Sequence, residues 1–353
     1  MPTRRLSPYL LLLLGLATAG LLAQGCARQP DAVQEQQFIA FGTLVDVSVY
    51  GVDAELAQRA FTDLEQRFAQ WHHDWHAWEP GPLVDLNTAL ETTGEAEVPA
   101  VILPLIAPAQ DLSARSNGLF DPAIGGLLAL WGFQSDAPPQ APPAAAAITA
   151  ELAKRPRMSD LRLEDDRLIT TNRAVKLDFG AFAKGVAVDR AIEHLRELGI
   201  DNAIVNAGGD LRAIGRRGTR AWRIGVRNPR GPGVLAVIEA QGDESIFTSG
   251  DYERGFDYQG RHYHHILDPR TGYPAAGARS VTVIYPDAAT ADAAATALLV
   301  AGAKDWLEVA RNLQLRWVML VDGEGVVHMT PAMAERVHIE LDPPPLIELS
   351  EAP

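Results

Sequence analysis

The chain has 353 residues, 47% of them hydrophobic, with 30 glycines, 24 prolines and a single cysteine. That length supplies one large domain or two modest ones with a real core, and a lone cysteine excludes intramolecular disulfides, so packing alone must hold the fold. A formal net charge of −14 argues against a broad attraction to nucleic acid, and any bound phosphate needs local help from backbone N–H groups, a metal or a few basic residues.

The first stretch is a targeting segment. Arg4 and Arg5 precede an apolar run, Leu10 to Leu22, that is short for a membrane span, and "LLAQGC" then ends in Cys26. The pattern resembles a bacterial lipoprotein signal. Residues 1–25 are then the signal peptide, Cys26 carries the lipid anchor, and 26–37 form a polar tether. An exported protein with one otherwise free thiol favours lipidation over an incidental cysteine. The expected location is the periplasmic face of the cell membrane. Ala27 gives no Asp-type retention signal, and the inner membrane is preferred over the outer.

"FIAFGTLVDVSVYG" (38–51) alternates like a strand, and Val52 to Trp71 has helical spacing. "WHHDWHAWEP" (71–80) sets His72 and His76 four apart, which suits zinc, but no third ligand is evident and a surface aromatic–histidine cluster is preferred. Trp75 and Trp78 can stack on a planar ring or simply pack. Val101 to Ser116 predicts a helix, and Phe120 and Asp121 follow in a turn before Pro122, as a helix cap or a pocket wall. Residues 134–160, rich in Pro and Ala, read as a surface insertion, more spacer than site.

From Val175 the pattern becomes strand, helix, strand. A helix over about 181–198 starts after a glycine and carries Lys184 in its first turn. A cation there opposes the helix dipole, whereas the exposed N–H groups suit a phosphate. Residues 202–215 read as two strands around a Gly-Gly-Asp turn, and short strands follow at about 222–227, 234–240, 245–248, 256–259, 262–267 and 279–285. "TSGDY" (248–252) reads as a hydroxyl-rich turn. Helices over 288–303 and 304–313 and strands over 315–321 and 325–329 complete a domain spanning 38–340, with an acidic tail at 341–353 as a strap or disordered end. The order predicts an α+β fold with mostly antiparallel sheet.

Two stretches carry chemistry. Between Ala288 and Ala301 the only polar residues are Thr290, Asp292 and Thr296. A helix apolar on nearly every side is buried, and a buried carboxylate needs a partner or a metal. Asp292 and Thr296 share a face and supply the hard oxygens that Mg2+ prefers, yet a capping Asp and a back-bonded Thr explain them equally well. "RHYHHILDPRTGYP" (261–274) suggests either a metal cluster or an acid/base site. On a strand, His262 and His264 face one way and His265 the other, so the three do not converge. His265, beside the Asp268–Gly272 turn, is the natural general base.

Seven stretches in order, "FGTLVDV", "NGLFDPAIGGLLALWGF", "LDFGAFAKGVAVDRA", "VNAGGDL", "TSGDYERGF", "HHILDPRTGYP" and "SVTVIYPDAATADAAATALLVAG", resemble the ApbE family of FAD:protein FMN transferases over about 38–330. The resemblance implies a T-fold-related domain of mostly antiparallel sheets and packed helices. It implies Mg2+-dependent transfer of FMN from FAD to a Thr or Ser hydroxyl of an acceptor flavoprotein subunit of electron-transport type, with release of AMP. It places Mg2+ on Asp292, Thr296 and the Ala181 carbonyl, and the proton on His265. Phe41, Trp78, Leu119, Phe120, Asp121, Lys184 and Ile266 then line the FAD pocket, with Gly208 and Gly209 letting the backbone approach closely. Phe41 stands where the family commonly has methionine, and Trp78 where it has the tyrosine that stacks on the flavin. The alternatives are an FAD pyrophosphatase, a non-catalytic flavin-binding lipoprotein, and a zinc protein built on the 262–265 histidines.

Overall fold

The computed structural model describes residues 32–135, 137 and 139–353, so the signal segment and Cys26 lie outside the described residues. The described residues open with a hairpin, β1 (Val33–Ala40) and β2 (Thr43–Tyr50), followed by α1 (Ala54–Asp74), α2 (Pro82–Thr93), β3 (Glu95–Glu97), α3 (Leu103–Arg115), α4 (Gly125–Leu130) and α5 (Ala145–Ala153). Next come β4 (Leu161–Glu164), β5 (Arg167–Thr170), α6 (Ala183–Glu197), β6 (Ala203–Ala207), β7 (Asp210–Ile214), β8 (Arg223–Arg227) and β9 (Val234–Glu239). The remainder is β10 (Glu244–Gly250), β11 (Gly255–Tyr258), β12 (Arg261–His264), β13 (Ser280–Tyr285), α7 (Ala288–Asn312), β14 (Trp317–Val321), β15 (Val327–Met329), α8 (Pro331–Ala334), β16 (Val337–Ile339) and β17 (Ile347–Leu349).

A nine-stranded sheet in the order β1-β2-β6-β7-β10-β13-β14-β15-β17 forms the frame, antiparallel throughout except for the β15–β17 pair. Alternation along its strands explains how it is covered. In β14, Val318 and Leu320 join the larger core beneath the helices, whereas Met319 and Val321 join a second core on the opposite face. The second core is closed by the three-stranded sheet β16-β9-β8. Burial on both faces is why "WVMLV" reads as an unbroken apolar run. A third, smaller core gathers Leu127, Trp131, Phe133, Ile148, Phe256 and Leu267.

The helices follow their local chemistry. Asp53 caps α1 by accepting from the Leu56 N–H at 2.8 Å, and Ala57, Ala60, Phe61, Leu64, Phe68 and Trp71 form its buried stripe. Asp287 caps α7 in the same way through Thr290 N at 2.7 Å. α7 bends at Gly302, whose φ of 68° and ψ of 178° interrupt the helix, which is the boundary expected between helices over 288–303 and 304–313.

Several expectations are corrected. Residues 38–51 are not one strand but parts of two, because Phe41 (φ 52°) and Gly42 (φ 68°) form a two-residue turn with both φ positive. β1 starts at Val33, inside the stretch read as tether. The 134–160 segment is more than a spacer: α5 buries Ile148 against the third core, and the Met158 N–H bonds to Asp121 at 3.1 Å. Thr248 and Ser249 lie within β10 rather than in a turn. The tail contributes β17, parallel to β15, so it is a strap. α2, β3, β4 and β5 had no counterpart in the sequence reading.

Candidate active site

The site forms where α6 meets α7 beneath β7 and β10. The two helices approach so closely at Gly185 that an added Cβ would lie 2.3 Å from the Ala288 carbonyl oxygen. That contact brings the Gly185 N–H to Asp292 Oδ2 at 2.9 Å. Asp292 is only 3% exposed, as the nearly all-apolar helix predicts. Its other oxygen, Oδ1, stands 3.4 Å from Lys184 Nζ. Lys184 makes a much shorter bond to Asp210 Oδ2, at 2.5 Å. Asp210, the acid of the Gly-Gly-Asp turn, is fixed in turn by the Thr248 N–H on its Oδ1 at 2.9 Å.

Electrostatics follow from this packing. Burial penalises the Lys184 ammonium, but Asp210 and Asp292 outweigh that penalty and hold its pKa above the ordinary lysine value. Burial drives Asp292 up from the usual carboxylate range, and Lys184 with the Gly185 N–H offsets this only in part. One turn along α7, the Thr296 hydroxyl meets the Ser249 hydroxyl of β10 at 3.2 Å. Ala181 sits half-buried just ahead of α6, against the main core. Phe182, the residue preceding α6, offers no side-chain cap; the Asp292 carboxylate fills that role from α7 through the Gly185 N–H, and the Ala183 N–H goes to the Phe179 carbonyl.

His265 lies one residue beyond β12, which ends at His264 rather than at Leu267. Its Nδ1 is 3.1 Å from the Arg254 carbonyl. A carbonyl can only accept, so Nδ1 carries the proton and the lone pair is on Nε2. Burial, then His264, with a smaller push from Lys184, lowers its pKa to about 4, so the half-buried ring is neutral at ordinary pH. The other two histidines do not join it. His262 is engaged by Asp257 at 2.8 Å and the Asp251 carbonyl at 3.0 Å. His264 is no surface residue: it is 4% exposed and bonds the Ala275 carbonyl at 2.9 Å. Among the described residues no three His, Cys, Asp or Glu side chains gather as a metal set, which leaves the zinc reading without support.

The aromatic candidates lie around the end of α1. Phe41 packs against Trp75 with ring centroids 6.0 Å apart, and its N–H bonds His72 Nδ1 at 3.2 Å. The 71–80 cluster is therefore not a surface feature: Trp71, Trp75 and His76 are buried. Trp78 stands against His76, and its buried Nε1 has no partner among the described residues. The Arg254 guanidinium lies 5.6 Å from the Trp78 ring, so one residue links the aromatic wall to the His265 tautomer. Leu119, Phe120 and Ile266 are buried, and Phe120 reaches Phe182 at 5.9 Å. Asp121 accepts from Ala123 N and Met158 N, and burial raises its pKa to about 6. It lines a cavity of about 500 Å³ walled also by Arg155, Arg157 and Arg270.

Asp210, Ser249 and Arg254 were not singled out from the sequence, although "VNAGGDL" and "TSGDYERGF" contain them. An acid straight after a Gly-Gly hairpin turn, opening a strand that is largely buried, was the available signal for Asp210.

Fold and site together define an α+β domain in which a buried lysine stands between two carboxylates where two helices meet, one turn from a pair of hydroxyls, with a neutral histidine on a neighbouring segment. Residues 41–319 match the ApbE family, and the chain belongs to it. A Rhodobacter capsulatus FAD:protein FMN transferase is 41% identical over 323 residues, covering 92% of this chain and 61% of the relative. The chain thus spans less than two thirds of that relative's length. The Thermotoga maritima ApbE structure superposes with a TM-score of 0.80 at 32% identity, covering 86% of this chain and 99% of the other. The apo Pseudomonas stutzeri flavinyl transferase ApbE gives 0.75 at 30%, covering 86% and 96%.

Proposed function

We propose that the protein transfers FMN from FAD to a Thr or Ser hydroxyl of an acceptor flavoprotein subunit, releasing AMP. The observation that carries this reading is the meeting of Lys184 and Asp292 at the first turn of α6, with Thr296 one turn further along α7 and a neutral His265 that leaves Nε2 free. The similarity to FMN transferases supports it.

Lys184, in the first turn of α6, neutralises and orients the pyrophosphate. Phe41 and Trp78 offer an apolar face to the isoalloxazine, and the Trp78 N–H has a hydrogen bond left to give. Leu119, Phe120, Asp121 and Ile266 complete the wall. The acceptor oxygen attacks the FMN phosphorus, the P–O bond to AMP breaks, and His265 Nε2 takes the hydroxyl proton while the Arg254 carbonyl holds Nδ1–H.

The oxygen donors suit Mg2+. Asp292 Oδ1 is 3.4 Å from Lys184, longer than the roughly 2.7–2.9 Å of a tight charged hydrogen bond, and so retains capacity for another cation. Asp292, Thr296 and the Ala181 carbonyl would hold the ion, which supplies charge neutralisation at the pyrophosphate.

The test is flavinylation of a threonine-bearing acceptor with FAD and Mg2+, read as in-gel flavin fluorescence. Wild type labels the acceptor, and His265→Ala loses about 10²–10⁴-fold in rate at an essentially unchanged FAD affinity. Unlabelled acceptors with active controls would refute the reading. Trp78 in place of the family's tyrosine favours one second reading, hydrolysis of FAD; release of FMN and AMP at the same rate without acceptor would establish it.

We also propose anchoring through Cys26 at the periplasmic face, supported by Arg4, Arg5 and "LLAQGC". Incorporation of labelled fatty acid that persists in Cys26→Ser would contradict it.

A further inference from the structure

Lys184 stands between two buried carboxylates of unequal reach, with Asp210 at 2.5 Å and Asp292 at 3.4 Å. Both acids are held from behind by a backbone N–H, Asp210 by Thr248 and Asp292 by Gly185. Their positions are therefore set by β10 and α6, and the ammonium on its flexible stem is the part able to move. Asp210 is 5% exposed and Asp292 3%, so neither charge can turn to water for a substitute partner. Without its bond to Asp210, the ammonium would close onto Asp292 Oδ1, the only other carboxylate in contact with it among the described residues.

We infer that Asp210 is a positioning residue that holds the Lys184 ammonium off Asp292 and so keeps one oxygen of Asp292 open to a divalent cation. The inference rests on the metal reading proposed above but concerns this chain's own side chains. Asp210 touches neither substrate nor metal in this role. It acts through Lys184, as an outer partner that sets what an inner ligand can do. The Gly208-Gly209 turn, with φ of 71° and 103°, delivers Asp210 to the start of β7, and the Asn206 side chain pins that turn through the Gly209 N–H at 2.8 Å. On this account the "AGGDL" stretch exists to aim a carboxylate at a lysine 26 residues earlier.

The experiment titrates the whole folded protein with Mn2+ alone, free ion being followed by electron paramagnetic resonance, with no FAD and no turnover. Asp210→Asn should weaken Mn2+ binding by about 10–100-fold. Asp210→Glu should recover most of the loss, and Lys184→Met added to Asp210→Asn should restore wild-type affinity because the competing cation is gone. Should Asp210→Asn fail to fold, Lys184→Met alone decides the matter: it should bind Mn2+ at least as tightly as wild type. Unchanged affinity in Asp210→Asn, no restoration in the double variant, or weakened binding in a folded Lys184→Met would each overturn the inference. The outcomes separate from the function. Normal flavinylation with unaltered Mn2+ affinity in Asp210→Asn sinks this inference alone, whereas the expected affinity pattern in a protein that never labels an acceptor sinks the transferase reading alone.

Discussion

His265 shows how a neighbour selects the chemistry of a side chain. The sequence offered three histidines in four positions, and the structure separates them by partner: a carboxylate and a carbonyl for His262, a carbonyl for His264, and for His265 a carbonyl on Nδ1 that leaves Nε2 free. With its pKa lowered to about 4, the imidazole should stay neutral well below the 6.5 of a free histidine. An NMR titration of the imidazole resonances, assigned by their loss in His265→Ala, should show it uncharged at pH 5.5; a midpoint near 6.5 would contradict the geometry. Asp121 behaves in the opposite sense. Its folded pKa of about 6 exceeds its ordinary 3.8, so the folded state binds more protons between those values. The stability it contributes is complete below pH 3.8 and disappears as pH rises through 6. Asp121→Asn keeps an acceptor for Ala123 and Met158, and should melt above wild type at pH 7.5, with the gap closing toward pH 4.

At the scale of elements, the contact of α6 with α7 fixes the site. Gly185→Ala would press a methyl group onto the Ala288 carbonyl and the Ala289 Cα, 2.3 and 2.7 Å away, and backbone cannot yield as a side chain does. Urea unfolding should show a loss of about 1–3 kcal/mol or more. Gly225→Ala, whose Cβ meets only Val234 methyls at 3.5 Å, should stay within about 1 kcal/mol. What was legible in the sequence follows the same logic. α7 was readable, Asp292 included, because a helix that excludes charge everywhere else makes its one acid conspicuous. The β1–β2 hairpin was not, because a phenylalanine occupies a positive-φ position where Gly, Asn or Asp is the usual signal. α2 was hidden behind Pro80, Gly81 and Pro82, which look like loop, although Pro82 only pre-sets the first turn of the helix. The Lys184–Asp210 bond was invisible for a different reason: it depends on strand order, which no local pattern encodes.

For the whole molecule, the nine-stranded sheet must end somewhere, and on one side it ends on the tail strand β17. β17 covers β15 through Val327 N to Leu346 O at 2.8 Å and Ser350 N to Met329 O at 2.9 Å. Removing residues 342–353 should leave the active-site geometry intact, lower the melting temperature by several degrees and bare the β15 edge. Self-association of the truncated protein in sedimentation runs is the expected consequence; a monomer with unchanged melting would show that the strap contributes nothing. The fold class was readable from the order of elements, but the sandwiching of the sheet between helices and a second sheet was not. Outward-facing and inward-facing apolar residues look alike until both faces are known to be covered.

The Lys184–Asp292 contact joins positions 108 residues apart. A contact of that span closes a long loop, and the entropy of that closure must be offset by the packing of the elements between its ends. The Lys184 cluster therefore needs α6, β7 and α7 packed together, and none of these elements carries it alone. A fragment that stops before α7 lacks Asp292 and Thr296 altogether, so Lys184 keeps Asp210 as a partner but the full constellation is missing.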